Sequence, residues 1–505
     1  MAQTLHLDGA SLTIEALVEA SLGQTQISLD RKALQRMQNS RRVIDEAVTA
    51  RKPVYGVTTG LGTKVTEALN EDDLATFSLQ TIRGRAHAIG EPASRENVRA
   101  AMIVRANTLL TGHAGAQPKI AQMLVDCINA NITPVTGSIG SVGVADLLPN
   151  ATMALALIGE GEMFEADGTR GSAQEVLAKH GISPLELGPR DGLALASHSA
   201  MTAGAAALAL HAAQDAYETV QSAAAMSMEG FRANLDAIAK NAIAAKPLPG
   251  QMEAASDLRK KLKGSALFDR QNARRLQDPL SIRNTPQIHG ALVNALSHLA
   301  KIVEIEINST SDNPIILEDQ ADIVSCGHYY TAELCHAVQS ASNAFVQIAS
   351  AQIARTAKHL NPILSDLPAS LAKDSSASTG LAPLMKITEA LAADLMQAAQ
   401  PVSLWTSAHP SGVEDCISPA PLAINRLSQI AKLSKQMSTV ELIVACQALD
   451  MRKPAPKTGA FIKALRNRVR AHVPTISEDR SLSLEIMSLI EEVNLFKSFS
   501  WRLDD

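Results

Sequence analysis

The chain has 505 residues, 46% of them hydrophobic, and a formal net charge of −5. That length is enough for a large buried core and more than one packing unit. The net negative charge indicates no basic patch that would bind a nucleic acid. No apolar run reaches the roughly 18 to 20 residues of a membrane-spanning helix. We therefore expect neither a nucleic acid nor a membrane as a partner.

The start of the chain, residues 1–15, lacks the basic segment and the continuous apolar run of a signal peptide, which predicts a cytoplasmic protein. The five cysteines are odd in number and have no paired spacing. This favours reduced thiols over a disulfide frame or a zinc site. The thirteen histidines are scattered, so no metal site is predicted.

Residues 1–195 form a region of mixed character. Glycine and proline are frequent, and short helices are predicted at 94–110 and 119–130. The composition changes in residues 196–505, where the segments 205–229, 331–361 and 422–453 contain neither glycine nor proline. They are rich in good helix formers, which predicts long helices. We therefore expect two domains, a mixed N-terminal region (1–195) and a long-helix bundle (196–505).

Further helices are predicted at 287–307, 380–397, 458–473 and 482–499, and strand signals are sparse, with 315–324 the main one. The fold class is therefore mainly α. Alanine-rich stretches at 203–207, 223–225 and 349–354 allow helices to approach closely. They suit either a tightly packed monomeric bundle or a bundle built between subunits.

Two glycine-rich segments stand out, Tyr55-Gly-Val-Thr-Thr-Gly-Leu-Gly62 and the loop 137–149, Gly-Ser-Ile-Gly-Ser-Val-Gly-Val-Ala-Asp-Leu-Leu-Pro. Other motifs follow in order at 154–161, 191–195, 277–283, 286–290, 308–314, 414–415 and 446–452. Together they resemble the aromatic amino acid lyases, whose best-known member is histidine ammonia-lyase. The resemblance implies a long-helix fold of the fumarase/aspartase type and a homotetramer with active sites shared between subunits.

Members of that family make an electrophilic cofactor, methylidene-imidazolone (MIO), from an Ala-Ser-Gly triplet that follows Gly-Ser-Val-Gly. The middle residue must lose a group from its β-carbon. Here Gly140-Ser-Val-Gly143 is followed by Val144, Ala145 and Asp146, one residue short of the family spacing, and Ala145 has nothing to eliminate. The phasing that starts at Ser141 puts a valine in the middle and fails for the same reason. No MIO and no other cofactor is expected.

The resemblance assigns roles to three residues that the chain retains. Tyr55 matches the tyrosine that removes the substrate's β-proton, and a phenol of ordinary pKa about 10 is a suitable base when nearby cations lower it. Arg283 matches the arginine that holds the substrate carboxylate, which a planar guanidinium suits, and Glu414 matches a carboxylate near the substrate amine or ring. The plain alternatives are a packed tyrosine, a structural salt bridge and a solvated acid.

Several family positions have changed. Ser197, with His198 beside it, stands where relatives have the asparagine that contacts MIO, and Leu280 replaces a second active-site tyrosine. Either Arg85 or His87 stands where the histidine facing the substrate ring is expected, and the sequence leaves that choice open.

Other candidates lie on later segments. Lys386 replaces a family glutamine on a predicted helix, where the plain alternative is a surface lysine with an extended stem. Tyr329 and Tyr330 stand near a family pocket aromatic, with core packing as the alternative, and Gln277 opens the motif that carries Arg283. We predict that these residues bind or activate the substrate.

An elimination without MIO is expected to need a leaving group that is already activated. A quaternary nitrogen carries a permanent charge and has no lone pair to add to MIO. The pattern resembles the ergothionases, MIO-free members of this superfamily that release trimethylamine from ergothioneine, a histidine betaine, to give thiourocanate. Tyr55 or Lys386 would then take the β-proton. Lys386, coupled to Glu414, would polarise the ring, and Tyr329 and Tyr330 would face the trimethylammonium.

Two other functions fit the same residues. One is a MIO-free ammonia-lyase or aminomutase acting on histidine or another amino acid. The other is a catalytically silent homologue that binds histidine-like ligands.

Overall fold

The computed structural model describes residues 4–23, 25–373, 377–402 and 412–494. These residues are mostly helical, as predicted. The helices are α1 (Ile14–Leu22), α2 (Arg31–Thr49), α3 (Glu71–Arg83), α4 (Arg95–Leu109), α5 (Pro118–Asn129), α6 (Leu147–Leu157), α7 (Ala173–Lys179), α8 (Asp191–Ala196), α9 (Ala200–Phe231), α10 (Lys240–Ala244), α11 (Pro249–Lys261), α12 (Leu280–Arg283), α13 (Thr285–Asn308), α14 (Ala332–Leu360), α15 (Pro362–Ser365), α16 (Leu384–Ala398), α17 (Ala420–Met451), α18 (Ala460–His472) and α19 (Ser483–Asn494).

The strands are short: β1 (Thr4–Leu7), β2 (Gln26–Leu29), β3 (Ile89–Pro92), β4 (Thr133–Pro134), β5 (Gly137–Ile139), β6 (Glu162–Phe164), β7 (Arg170–Ser172), β8 (Ile315–Leu317) and β9 (Asp322–Val324). β1 and β2 pair in parallel. The other pairings are antiparallel and join β3 to β5, β4 to β6, β6 to β7, and β8 to β9. The strand predicted at 315–324 is a hairpin, because a 3₁₀ turn and the left-handed Ala321 interrupt it.

The chain divides into two compact units that differ from the predicted domains. The first unit comprises Met1–His211, Ala300–His336 and Val402–Ile424, and the second comprises Ala212–Leu299, Ala337–Pro401 and Asn425–Asp505. The predicted boundary at residue 195 falls inside the first unit. Chain order did not reveal this division, because α9, α13, α14 and α17 each run from one unit into the other.

In the first unit, every residue of α4 from Val98 to Leu109 is buried. The start of α9 packs closely against it at Gly204, where a Cβ would lie 3.0 Å from the backbone of Ala100. A smaller core beside the Tyr55 segment joins Ile44 of α2, Val54 and Val57 to Ile316 of β8. This core holds the chain on both sides of Tyr55.

The second unit has its core between α9 and α17, where Ala223–Met226 and Leu442–Cys446 are buried in one apolar cluster. A buried ion pair crosses it: Arg355 of α14 donates to Glu441 of α17 at 2.6 Å, and both side chains are 0% exposed. The long helices are thus held by apolar packing and by a fully paired charge.

Helix ends follow local chemistry. The helix predicted at 380–397 begins later, at Leu384, because Gly380 has a left-handed φ of +60° and Pro383 precedes the first turn. Of the helix predicted at 482–499, residues 483–494 are helical, residue 482 precedes the helix, and residues 495–499 lie outside the described residues.

One helical stretch, Asp191–Phe231, passes the length and composition test for a membrane span, although no such run was expected. Its most apolar window is 78% buried within the structure. That burial is what a core helix of this composition shows.

Candidate active site

The glycine loop is clamped by two other segments of the first unit. The Val142 carbonyl accepts from the Ser418 N–H at 3.0 Å, and the Gly143 carbonyl accepts from the Thr331 hydroxyl at 2.9 Å. Gly143 has a φ of +70°, and a Cβ there would lie 1.7 Å from the Ser418 carbonyl oxygen. Only glycine fits this close approach.

The two residues after Val144 are tied to the structure at backbone and side chain. The Ala145 N–H donates to the Tyr329 carbonyl at 3.2 Å, and its own carbonyl accepts from the His198 N–H at 3.0 Å. Asp146 is fully buried and accepts from the N–H and hydroxyl of Thr202 at 2.8 and 2.6 Å. Burial raises the pKa of Asp146, and these hydrogen bonds oppose the rise.

These residues do not meet the chemical requirements of MIO. Ring formation needs a β-hydroxyl on the middle residue and a following glycine whose nitrogen closes the ring. Ala145 has no such hydroxyl, and the next residue is Asp146, whose side chain is committed to Thr202 and Ser141.

Tyr55 is placed by a tight turn that follows the buried Val54. Gly56 adopts a φ of +65°, and a Cβ there would collide with the side chains of Leu193 and Leu61. The phenol oxygen of Tyr55 accepts a hydrogen bond from the Gly62 N–H at 3.1 Å. The glycines of the motif therefore form the turn and hold the half-buried phenol in position.

Arg85 interacts electrostatically with Tyr55. It follows the end of α3, where its N–H donates to the Ile82 carbonyl at 3.1 Å, and its Nη1 donates to the Thr81 carbonyl at 3.3 Å. Burial lowers the pKa of Arg85, and electrostatic interactions with Tyr55 and Glu414 oppose that shift. Of the two candidates that the sequence left open, Arg85 is half-buried, whereas His87 is exposed.

Tyr329 interacts electrostatically with Tyr55 and with Glu414. Burial is the main cause that raises the pKa of Tyr329, followed by the charge of Tyr55; Cys326 and Glu414 add smaller effects. Glu414 itself is exposed. Tyr330 has a different position, because it is exposed and its hydroxyl donates to the Ile417 carbonyl at 2.7 Å, which anchors the segment that carries Glu414.

His198 supports the loop from behind. It is 2% exposed, its Nε2 donates to the Leu195 carbonyl at 3.1 Å, and its Nδ1 accepts from the Ala200 N–H at 3.3 Å. Burial holds the pKa of His198 well below its ordinary value. A neutral ring with both nitrogens bonded is a structural group rather than the substrate contact that was predicted. Ser197, next to it, ends α8 and is half-buried.

Three of the predicted site residues, Gln277, Arg283 and Lys386, belong to the second unit. Arg283 and the exposed Gln277 line one cavity of about 480 Å³, together with Asp278. Asp278 accepts from the Asn234 N–H at 2.6 Å, and burial raises its pKa. A carboxylate-sized ligand would therefore meet a guanidinium at one side of this cavity.

Lys386, which was predicted to act on the substrate, follows the apolar residues Leu384 and Met385 in the sequence. Its side chain is instead 86% exposed on α16, and its Nζ lies 3.7 Å from Glu389 Oε2, one helical turn away. The buried positions of α16, such as Leu384 and Thr388, are on the other side of the helix. Within one chain, Lys386 is thus a surface residue.

Sequence reasoning missed a buried ion pair behind the loop. Arg105 of α4 donates to both carboxylate oxygens of Asp312 at 2.9 Å, and both side chains are almost completely buried. Asp312 lies in the quoted motif 308–314, which was a usable signal, whereas no motif marks Arg105. Among the described residues, no group of three or more His, Cys, Asp or Glu side chains could hold a metal ion.

Known proteins resemble this chain along most of its length. A model of the aromatic amino acid lyase family matches residues 12–471. The chain belongs to the aromatic amino acid lyase family. It is therefore a member of a family of carbon–nitrogen lyases.

Among curated relatives of this aromatic amino acid lyase, the histidine ammonia-lyase of a Geobacillus species is 33% identical over 485 residues, covering 95% of this chain and 94% of the relative. The histidine ammonia-lyase of Caldanaerobacter subterraneus is 31% identical over 481 residues, with coverage of 95% and 94%.

Solved structures share the fold. Ergothionase from Treponema denticola, in complex with desmethyl-ergothioneine sulfonic acid, has a TM-score of 0.93 at 26% identity and covers 97% of this chain and 99% of that one. Histidine ammonia-lyase from Trypanosoma cruzi has a TM-score of 0.88 at 26% identity, with coverage of 97% and 93%.

Proposed function

We propose that this lyase eliminates trimethylamine from a histidine betaine, with ergothioneine as the first candidate substrate and thiourocanate as the product, and that it does so without MIO. The observation that carries the proposal is the loop at 143–146, where Ala145 offers no hydroxyl to eliminate. At the same time the chain retains Tyr55, and Arg85 interacts electrostatically with Tyr55 and with Glu414. The similarity to an ergothionase supports the choice of substrate.

The elimination balances without an electrophilic cofactor. The proton on the substrate β-carbon moves to the Tyr55 oxygen, and the electrons of that C–H bond form the new carbon–carbon double bond. The electrons of the α-carbon–nitrogen bond leave with the nitrogen, which departs as neutral trimethylamine. A thio-imidazole ring next to the β-carbon accepts charge as it develops, which makes the proton removable.

The other predicted residues have supporting roles in this proposal. Arg283 binds the substrate carboxylate, and Lys386 with Glu414 polarises the ring. The aromatic face of Tyr329 contacts the trimethylammonium. We assign the proton transfer to Tyr55 rather than Lys386, because Tyr55 is half-buried and held by Gly62, whereas Lys386 is exposed in the single chain.

An assembly would bring these groups together. Tyr55 belongs to the first unit, and Arg283 and Lys386 belong to the second. We propose a cytoplasmic homotetramer in which neighbouring subunits contribute Arg283 and Lys386 to sites that contain Tyr55.

A MIO-free ammonia-lyase acting on histidine is the second candidate. It is favoured by curated relatives that are named histidine ammonia-lyases. A primary amine leaves poorly without an electrophile, which is why we rank this candidate second.

The test is a substrate panel with matched variants. Purified enzyme is given ergothioneine, the same betaine without sulfur, or histidine, and released amine and the unsaturated acid are quantified. Tyr55→Phe and Lys386→Met are expected to lose turnover of ergothioneine, while Lys373→Met, another exposed ion-paired lysine of the second unit, retains it. Turnover of histidine alone would replace the proposal with the second candidate. Full activity in both Tyr55→Phe and Lys386→Met would remove the assigned roles.

A further inference from the structure

We propose that a cavity in the first unit is an anion site that binds a phosphate group. The cavity has a volume of about 190 Å³ and lies where the end of α1, the first turns of α4 and the start of β4 meet. Arg95, Glu96 and Arg99 of α4 and Thr133 of β4 are among the residues that line it. None of the lining residues has a role in the proposed elimination, so this inference does not depend on the substrate.

Two arginines, one helical turn apart, supply the positive charge of the cavity. Arg99 is 4% exposed and donates to backbone carbonyls, two of them at 2.7 and 2.8 Å. Arg95 is half-buried and donates to two other backbone carbonyls at 3.0 and 3.2 Å. Within the described part of the chain, no carboxylate accepts a hydrogen bond from either guanidinium. These bonds hold the two side chains in place without neutralising their charges.

The two charges also act on each other. Burial is the first cause that lowers the pKa of Arg99, and the like charge of Arg95 lowers it further. The acid among the lining residues, Glu96, is exposed, so water screens its charge more than the charges of the arginines. An anion bound in the cavity would therefore be attracted by both guanidinium groups and would relieve their repulsion.

Two buried donors that line the cavity need a partner. The Thr133 side chain is 1% exposed, and its hydroxyl meets no hydrogen-bond partner among the described residues. The Nε of Arg95 is likewise buried and unpaired within that part of the chain. Buried polar groups are almost always hydrogen-bonded, because burial without a partner is unfavourable. A ligand with several acceptor oxygens would satisfy both donors.

The set of donors favours phosphate over a carboxylate. Arginine forms paired, charge-assisted hydrogen bonds with either group. A carboxylate has two oxygens, which one guanidinium can occupy, whereas a phosphate group has at least three acceptor oxygens. Phosphate therefore has enough acceptors for Arg95, Arg99 and Thr133 together. Arg95 is also the first residue of α4, a helix of 15 residues, and the start of a helix favours bound phosphate.

The test is a calorimetric titration of the full chain with inorganic phosphate, glycerol 3-phosphate or acetate at constant ionic strength. We expect saturable binding at one site per chain for phosphate or for its ester, and at least about tenfold weaker binding of acetate. Tighter binding of inorganic phosphate would identify the free ion as the ligand, and tighter binding of the ester would identify a phosphorylated small molecule. Acetate binding as tight as that of phosphate would refute the assignment.

Two substitutions remove the unpaired donors. Thr133→Val and Arg95→Gln should each weaken phosphate binding by about tenfold or more, the change that corresponds to one charge-assisted hydrogen bond. Thr133→Val should fold, because the hydroxyl that it removes bonds no described residue. Circular dichroism verifies this for each variant, and Thr133→Val alone decides the test if Arg95→Gln does not fold.

Thr356→Val is the matched control. Thr356 is also fully buried, and its hydroxyl is also unpaired among the described residues, but it lies on α14 in the second unit. Arg83→Gln controls for charge, because it removes an exposed arginine that pairs with Glu160. Both controls should bind phosphate as tightly as the parent chain does.

Thermal unfolding gives a second measurement. Phosphate stabilises folded proteins in general because it is excluded from their surface, and all variants should share that effect. A specific site adds a rise in Tm that follows the binding curve, which we expect in the parent chain and in Thr356→Val but not in Thr133→Val. An equal phosphate response of the parent chain and Thr133→Val, or the absence of saturable binding, would overturn the inference.

Discussion

The glycine loop offers a quantitative test of how closely it packs against its neighbours. Gly143 and Gly181 have almost the same left-handed φ, +70° and +69°. A Cβ on Gly181 would meet nothing within 4 Å, whereas one on Gly143 would lie 1.7 Å from the Ser418 carbonyl oxygen and 3.0 Å from the Thr331 hydroxyl. The two alanine variants therefore share the backbone strain and differ in the collision.

The strain alone costs roughly 1–2 kcal/mol, so Gly181→Ala should be destabilised by about that amount. In Gly143→Ala the loop and the Ser418 segment must also move apart by more than about 1 Å. That movement would break the Val142–Ser418 and Thr331–Gly143 hydrogen bonds, each worth about 0.5–1.5 kcal/mol. We expect a total loss of about 2–5 kcal/mol.

Activity should separate the variants further. Misplacing a catalytic group by about 1 Å can lower the rate on the order of 100-fold, and the Ser418 segment also carries Glu414. Denaturant unfolding and turnover of ergothioneine, measured on both variants, test this. If Gly143→Ala were as stable and as active as Gly181→Ala, the packing of the loop would have to differ from that described.

Three further outcomes are expected. The intact mass of the purified chain should equal that of the unmodified sequence, whereas MIO would remove two waters. Burial, and to a smaller extent the charges of Asp146 and Glu333, raise the pKa of Glu306 to about 7. The stability that this group contributes is therefore complete below its ordinary pKa and is lost as pH rises through about 7. Glu306→Gln should accordingly be more stable than the parent protein at pH values above about 8, by on the order of 1–3 kcal/mol, and this gain should vanish near the ordinary carboxyl pKa of about 4. Glu318→Gln, at an exposed position, should show neither effect. An unchanged pH dependence of stability in Glu306→Gln would contradict the assignment. Asp312→Asn leaves Arg105 buried without its partner, so unfolding measurements near neutral pH should give a loss of about 3–5 kcal/mol; a loss of less than about 1 kcal/mol would show that the pair is accessible to water.

Much of the helical architecture could be predicted from composition. The runs at 205–229, 331–361 and 422–453 contain neither glycine nor proline, and each lies almost wholly within one long helix, α9, α14 or α17. The residues at which helices begin were harder to predict. The delayed start of α16 depends on a left-handed Gly380 packed against Ser370, and that contact comes from a separate part of the chain.

The candidate site was only partly predictable for the same reason. Motifs named Tyr55 and Glu414 as candidates, but they could not decide between Arg85 and His87, because the burial of these two side chains depends on the turn after α3. Burial decides the role of His198, and burial is set by packing around α8 and α9. The exposure of Lys386 likewise follows from the face of α16 on which it lies, which its apolar neighbours in sequence did not indicate.

The most direct test of an elimination without an electrophilic cofactor uses borohydride, which reduces an electrophilic methylene. Enzyme treated with borohydride and then freed of it is given ergothioneine, and trimethylamine and thiourocanate are quantified together. We predict equimolar release of both products at the rate of untreated enzyme. Loss of turnover after borohydride, or ammonia released from histidine in place of trimethylamine, would contradict the central claim.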